Sequence, residues 1–276
     1  MRTRQTSQVR PLVRRASRLQ TANRVLFAAA VLSPIFLAGC ASLSGFGRGD
    51  GQASADQGPG AQDIRLARAA RTAGDYASAV NLYRSALAER RNDPEVLVEL
   101  GDTFLDIGAI DESIEAYNQV DAKSPARFGA ELGLARAELA LHKPDVALGY
   151  FERADKIKPN DRKVLVGRGV TLDLLNRHAD AQANYRAVLQ TNPSDVAARN
   201  DLALSLAFSH DYRQALDILT PLAHSPRATP RIRQNLALIY GLEGDMQQAS
   251  AESRRDLNER DTEANLAVIK SLRPGN

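Results

Sequence analysis

From residue 60 onward the chain repeats itself every 34 residues, with no insertion or deletion, in six blocks that begin at Gly60, Pro94, Phe128, Arg162, Val196 and Pro230. A strict period of this length belongs to arrays in which each unit is one supersecondary element that hides its apolar face only against its neighbours. The eighth position of the blocks is always small, with Ala67, Gly101, Ala135, Gly169, Ala203 and Ala237. The twentieth is small as well, with Ala79, Ser113, Ala147, Ala181, Ala215 and Ala249. Two helices of a pair can approach closely where both carry such residues, and a large side chain at either place would hold them apart. The twenty-fourth position reads Tyr83, Tyr117, Phe151, Tyr185, Leu219 and Ser253, an aromatic plug that fades toward the C-terminus. The seventh is leucine except at Arg168.

Helix-ending turns fall at the same phase of every block, at Ala73-Gly74-Asp75, Ile107-Gly108-Ala109, Leu141-His142-Lys143, Leu175-Asn176-Arg177, Ser209-His210-Asp211 and Glu243-Gly244-Asp245. Glycine and asparagine suit the left-handed residue that closes a helix, and histidine suits it less. Pro125, Pro159 and Pro193 are expected to stop the second helix of blocks two to four, since a proline cannot continue a helix and restricts the residue before it. Position by position the pattern resembles the tetratricopeptide repeat (TPR). That resemblance implies an all-α, right-handed superhelical solenoid of six helix pairs, running from Ile64 to about Arg260, with a C-terminal capping helix near residues 263–272.

The concave surface of such a solenoid is lined by first-helix positions 2, 5, 9, 12 and 13. Those positions hold Val98, Leu105, Leu132, Leu139, Val166, Val170, Leu174, Leu204, Phe208, Leu238 and Leu242, flanked by Arg68 and Arg71 in block one and by Asp102 and Asp106 in block two. An apolar stripe with a charged N-terminal wall fits an amphipathic helix or a short apolar peptide. Chaperone-type carboxylate clamps need Lys and Asn at fixed groove positions, and the fifth positions of the first three blocks are instead Ile64, Val98 and Leu132.

The chain ahead of the repeats has a different character. Residues 1–24 hold seven arginines and no acid, and residues 25–37 form an apolar run interrupted by Ser33 and Pro34. About 13 apolar residues fall short of the roughly 20 that cross a bilayer, so the run reads as the hydrophobic part of a signal peptide. It ends in Leu37-Ala38-Gly39-Cys40, which contains the only cysteine. These residues resemble the lipobox of bacterial lipoproteins, which implies cleavage before Cys40, acylation of its thiol and amino group, and anchoring by the acyl chains. Ala41 is not the Asp that the same family uses for inner-membrane retention, so the resemblance implies the outer membrane, facing the periplasm. Residues 1–39 would then be a cleaved leader, 40–60 a lipidated, Gly- and Ser-rich flexible tether, and 61–276 the solenoid.

Removing the leader reverses the charge. The whole chain carries a net charge of +3, but the part from Cys40 onward has 29 basic and 33 acidic side chains, about −4. The apparent basicity that would suggest a nucleic acid belongs to the discarded segment, so no nucleic-acid partner is expected.

Catalysis finds little support in the residues. His142, His178 and His210 lie at turns and His224 lies before Pro226, and no third ligand stands at a spacing that would complete a metal site with His142 and His178. No nucleophile elbow or phosphate-binding glycine loop accompanies the scattered Ser, His and Asp residues. We expect neither enzyme activity nor a cofactor.

A finer resemblance lies in the last two blocks. Asn200-Asp201-Leu202-Ala203-Leu204-Ser205-Leu206-Ala207, Asn235-Leu236-Ala237-Leu238-Ile239-Tyr240-Gly241-Leu242-Glu243-Gly244-Asp245, and Arg254-Arg255-Asp256-Leu257 followed by Ala264-Asn265-Leu266-Ala267 resemble the TadD family. That family comprises TPR lipoproteins of the tight-adherence (Tad, or Flp) pilus system. The resemblance implies protein partners in a pilus secretion apparatus, such as the outer-membrane secretin, and a pilotin-like role in its assembly. A general periplasmic TPR lipoprotein that coordinates cell-envelope or peptidoglycan enzymes is the alternative.

Overall fold

The computed structural model describes residues 58–273. The expected leader, lipobox and most of the tether lie outside these residues. Within them the chain forms thirteen helices: α1 (Ala61–Thr72), α2 (Tyr76–Glu89), α3 (Pro94–Asp106), α4 (Ile110–Asn118), α5 (Arg127–Ala140), α6 (Pro144–Ile157), α7 (Arg162–Leu174), α8 (His178–Thr191), α9 (Val196–Phe208), α10 (Tyr212–Ala223), α11 (Pro230–Glu243), α12 (Met246–Ser253) and α13 (Glu259–Leu272). Consecutive helices pair antiparallel, pairs stack in chain order, and the result is the all-α superhelical solenoid that the period predicts.

Local chemistry starts and stops the helices. Asp75, Asp93, Asp161, Asp195, Asp211, Thr229, Asp245 and Asn258 each accept a hydrogen bond from a first-turn amide, satisfying donors that have no partner inside the helix. Pro94, Pro144 and Pro230 occupy first-turn positions where no amide is missed. The fifteenth residue of every block has a positive φ: Gly74 at 81°, Gly108 at 76°, His142 at 57°, Asn176 at 60°, His210 at 65° and Gly244 at 116°. Two of the four histidines therefore serve as turn residues in a conformation that glycine would adopt without strain. His178 stands elsewhere, at the first position of α8.

The aromatic plug explains the small residues. Tyr117 and Tyr83 are fully buried, Tyr185 and Phe151 nearly so. A Cβ on Gly101 would lie 2.6 Å from the Tyr117 ring, and one on Gly133 would lie 2.2 Å from it. The ring is wedged between its own block and the next. Phe151 meets Gly167 of the following block in the same way, with 2.3 Å to an added Cβ. At the C-terminal end, where the plug has shrunk to Ser253, Ile269 of α13 closes the array and would sit 2.1 Å from a Cβ on Gly241.

Three boundaries differ from the sequence reading. Helix α1 starts at Ala61 rather than Ile64, and α13 starts at Glu259, where Asn258 caps it, rather than near residue 263. Helix α4 stops at Asn118, well before Pro125. Local hydrogen bonds take over there: Asp121 accepts from the Lys123 amide at 2.7 Å, Ser124 Oγ from the Ala126 amide at 3.1 Å, and Arg127 donates to the Val120 carbonyl at 3.0 Å. Side-chain acceptors that mimic a turn compete with the helix ladder, and here they win.

Candidate functional groove

The residues of the predicted stripe lie on the first helices α3, α5, α7, α9 and α11. Val98, Leu132, Leu139, Val166, Val170, Leu174, Leu204, Phe208 and Leu238 are half-buried, so each keeps part of its apolar surface accessible. Leu105 and Leu242 do not: they are only 2% and 8% exposed, drawn into contacts between helices, and are removed from the accessible stripe. Val166 packs on the buried residues Leu165, Val188 and Ala198, and Val170, Phe208 and Leu238 pack on the core of blocks four to six. Leu132, Leu139, Leu174 and Leu204 join no buried cluster among the described residues and are the cleanest probes of the surface.

The charged N-terminal wall is already paired with itself. Arg68 forks onto Glu99 at 2.6–3.0 Å, Arg71 reaches Asp106 at 2.7 Å, and Arg136 reaches Asp102 at 3.1 Å. Tyr83 donates to Glu99 at 2.8 Å and Tyr117 to Asp102 at 2.7 Å. Burial and the adjacent carboxylates hold both phenols above their ordinary range, so they remain donors. These bonds link blocks one to three, and most of the half-buried residues of the predicted stripe lie in blocks three to six.

Beneath the C-terminal half runs a polar network that the sequence reading missed. Asp173, 4% exposed, accepts from His178 Nδ1 at 2.7 Å, Ser205 Oγ at 2.7 Å and Tyr185 at 3.0 Å. Its signal was an acid at the twelfth position of block four, where the other blocks hold Arg71, Leu105, Leu139, Ala207 and Gly241. A serine, a histidine and an aspartate meet here, but the serine hydroxyl donates to the carboxylate and not to the imidazole. The connection that would activate a nucleophile is therefore missing. Among the described residues no group of three or more His, Cys, Asp or Glu side chains could hold a metal ion. A hollow of about 640 Å³ lies beside the shortened α4, lined by Asn118, Asp121 and Arg127 among others and by none of the stripe residues.

The residues that carry the finer resemblance stitch the last blocks together. Asn235 donates to Asn200 Oδ1 at 2.8 Å, Asn200 donates to Asp201 at 3.1 Å, and Asn265 donates to Gln234 at 3.0 Å and to Ser253 at 3.1 Å. Asp201 is largely shielded from water, and that burial pushes its carboxyl up to about 6 against the pull of Asn200 and Arg231. Between the unfolded value of 3.8 and about 6 the folded chain binds the proton more tightly, so stability falls as pH rises through that window. Asp201→Asn should remove this slope and raise stability at pH 7 by about 1–2 kcal/mol, as urea titrations at pH 4.5 and 7 would report.

Comparison with known proteins gives a consistent picture. The tetratricopeptide repeat family model matches residues 64–128, 132–195 and 167–208, together more than half of the chain. A curated relative, the uncharacterized protein y4yS of Sinorhizobium fredii (strain NBRC 101917 / NGR234), is 34% identical over 84 residues, which is 30% of this chain. The match spans 46% of that relative's length. Among solved structures, a tetratricopeptide repeat protein from Parabacteroides merdae superposes with a TM-score of 0.62 at 13% identity, covering 76% of this chain and 84% of that one. The APC/C hetero-tetramer Cut9–Hcn1 gives 0.63 at 15% identity over 80% of this chain and 45% of its own. MamA from Desulfovibrio magneticus RS-1 gives 0.52 at 16% identity over 63% of this chain and 94% of its own. At these identities the likeness is one of fold.

Proposed function

Because the chain belongs to the tetratricopeptide repeat family, whose repeats build protein-interaction scaffolds, we propose that it is a non-enzymatic scaffold lipoprotein. In this reading it is anchored through Cys40 in the outer membrane, faces the periplasm and acts in Flp/Tad pilus assembly as a pilotin-like factor for the secretin. The observation that carries the scaffold reading is the half-buried apolar stripe of blocks three to six, beside a wall whose charges already satisfy one another. A protein partner supplies the complementary apolar helix or strand. The Cut9–Hcn1 neighbour, a hetero-tetramer, is a precedent for this fold in an assembly. The pilus role rests on the resemblance in the last two blocks, and the anchor on Leu37-Ala38-Gly39-Cys40.

The test is a clean deletion complemented with variants. Deletion should lower the level of secretin multimers and abolish pili, and the wild-type chain should restore both. Leu139→Asp/Leu204→Asp should fail to restore them while its circular dichroism stays helical, because neither leucine joins a buried cluster. Normal multimers and pili in the deletion would sink the pilus role. Full restoration by the folded double variant would move the binding surface away from the groove.

A further inference from the structure

The leucine at position seven of each block points toward the preceding pair and is buried wherever a preceding pair exists: Leu100 is 6% exposed, Leu134 fully buried, Leu202 5% exposed and Leu236 fully buried. Block four alone substitutes a charge, Arg168. One of its guanidinium nitrogens pairs with Asp155 of block three at 3.1 Å, with both side chains about 30% exposed (27% and 31%). A half-exposed pair of this kind contributes little in water. The Nε of Arg168 is buried with no acceptor, an unsatisfied donor at the contact between two blocks. Beside it lies a cavity of about 270 Å³, lined by Leu148 and Glu152 of block three and by Arg168, Leu172 and Asn184 of block four.

The core is divided at the same place. Buried apolar residues form one cluster across blocks one and two, another across two and three, and two more within blocks four to six. Among the described residues no cluster contains buried members from both block three and block four, although half-buried Leu148 of block three touches the C-terminal one. Across this junction the Phe151 ring packs on Gly167. Phe151 takes the place of the tyrosines that elsewhere anchor the plug through their hydroxyls, Tyr83 on Glu99, Tyr117 on Asp102 and Tyr185 on Asp173. Phe151 has no hydroxyl bond to fix it in its slot.

From these observations we infer that the junction between blocks three and four is a hinge: blocks one to three and blocks four to six are two stiff bodies that swivel about the Phe151–Gly167 contact, with Arg168 keeping the junction loosely packed. In a linear array stability is a sum of unit and interface terms, so an interface with an unsatisfied buried donor and no shared apolar cluster is where opening would concentrate. The swivel changes the curvature of the groove in its apolar half, because Leu132 and Leu139 lie on one body and Val170, Leu174 and Leu204 on the other.

Pulsed electron paramagnetic resonance tests the hinge on the full solenoid carrying Cys40→Ser, so that introduced cysteines are the only thiols. Labels at exposed Glu112 and Gln190 span two junctions including the hinge, and labels at exposed Gln190 and Gln247 span two junctions without it. The first pair should give a distance distribution about twice as wide as the second, the signature of a collective motion between bodies. Arg168→Leu should narrow the first distribution to the width of the second. Arg168→Met, which keeps an unbranched side chain and loses the charge, should act in the same direction and serves if the leucine variant fails to fold. Equal widths in the unmodified solenoid, or no narrowing in the folded Arg168 variant, would overturn the hinge.

Discussion

Gly133→Ala is expected to destabilise the solenoid by about 2–4 kcal/mol, while Gly149→Ala, the same chemical change one block-half away, is expected to stabilise it by about 0.5–1 kcal/mol. The contrast follows from what each added methyl would meet. At Gly133 it would stand 2.2 Å from the Tyr117 ring, and the ring has nowhere to go because Gly101 closes on it from the other side and its hydroxyl is held by Asp102. Overpacking of a filled site forces backbone shifts, and here the shift would separate blocks two and three. At Gly149, inside α6, nothing lies within 4 Å, so only the gain in helix propensity remains. Urea denaturation followed by circular dichroism would give both values. A neutral Gly133→Ala would mean that Tyr117 can leave its slot, contrary to the geometry.

The second large effect is at the C-terminal end. Ile269→Ala should cost about 2–4 kcal/mol, the range for emptying a fully buried aliphatic site. Ile269 is 2% exposed and lies against Gly241 of α11. The loss should be local, since in a repeat array the terminal unit depends on a single neighbour. Hydrogen exchange should therefore accelerate in α11, α12 and α13 and change little in α1 to α6. Uniform acceleration along the chain would show that the array unfolds as one cooperative body.

Much of this architecture was legible because the repeat compares the chain with itself. The small residues at positions eight and twenty, the plug at twenty-four and the turn phase are all visible as columns, and each corresponds to a contact. What the columns hid were pairings between different phases. Gly133 and Gly167, at position six, receive the aromatic of the block before them, a relation that appears only once the blocks are stacked. Leu105 and Leu242 read as groove residues by position yet are buried, because exposure depends on the neighbouring helix and not on the phase alone. Helix α4 ended early because Asp121 and Ser124 offered the backbone turn-like acceptors, which hydrophobic periodicity does not register. Asp173 stood out as an odd acid, but its three donors come from two blocks and could not be read along the sequence.

The left-handed residue at position fifteen recurs in all six blocks, whether it is Gly74, Asn176 or His210. Backbone phase is thus kept from one end of the array to the other, while side-chain chemistry at the same column drifts. Such a chain can lengthen or shorten by whole units, through duplication or excision of 34 residues, without rethreading what remains. Its overall length is then the variable that ancestry can change most freely.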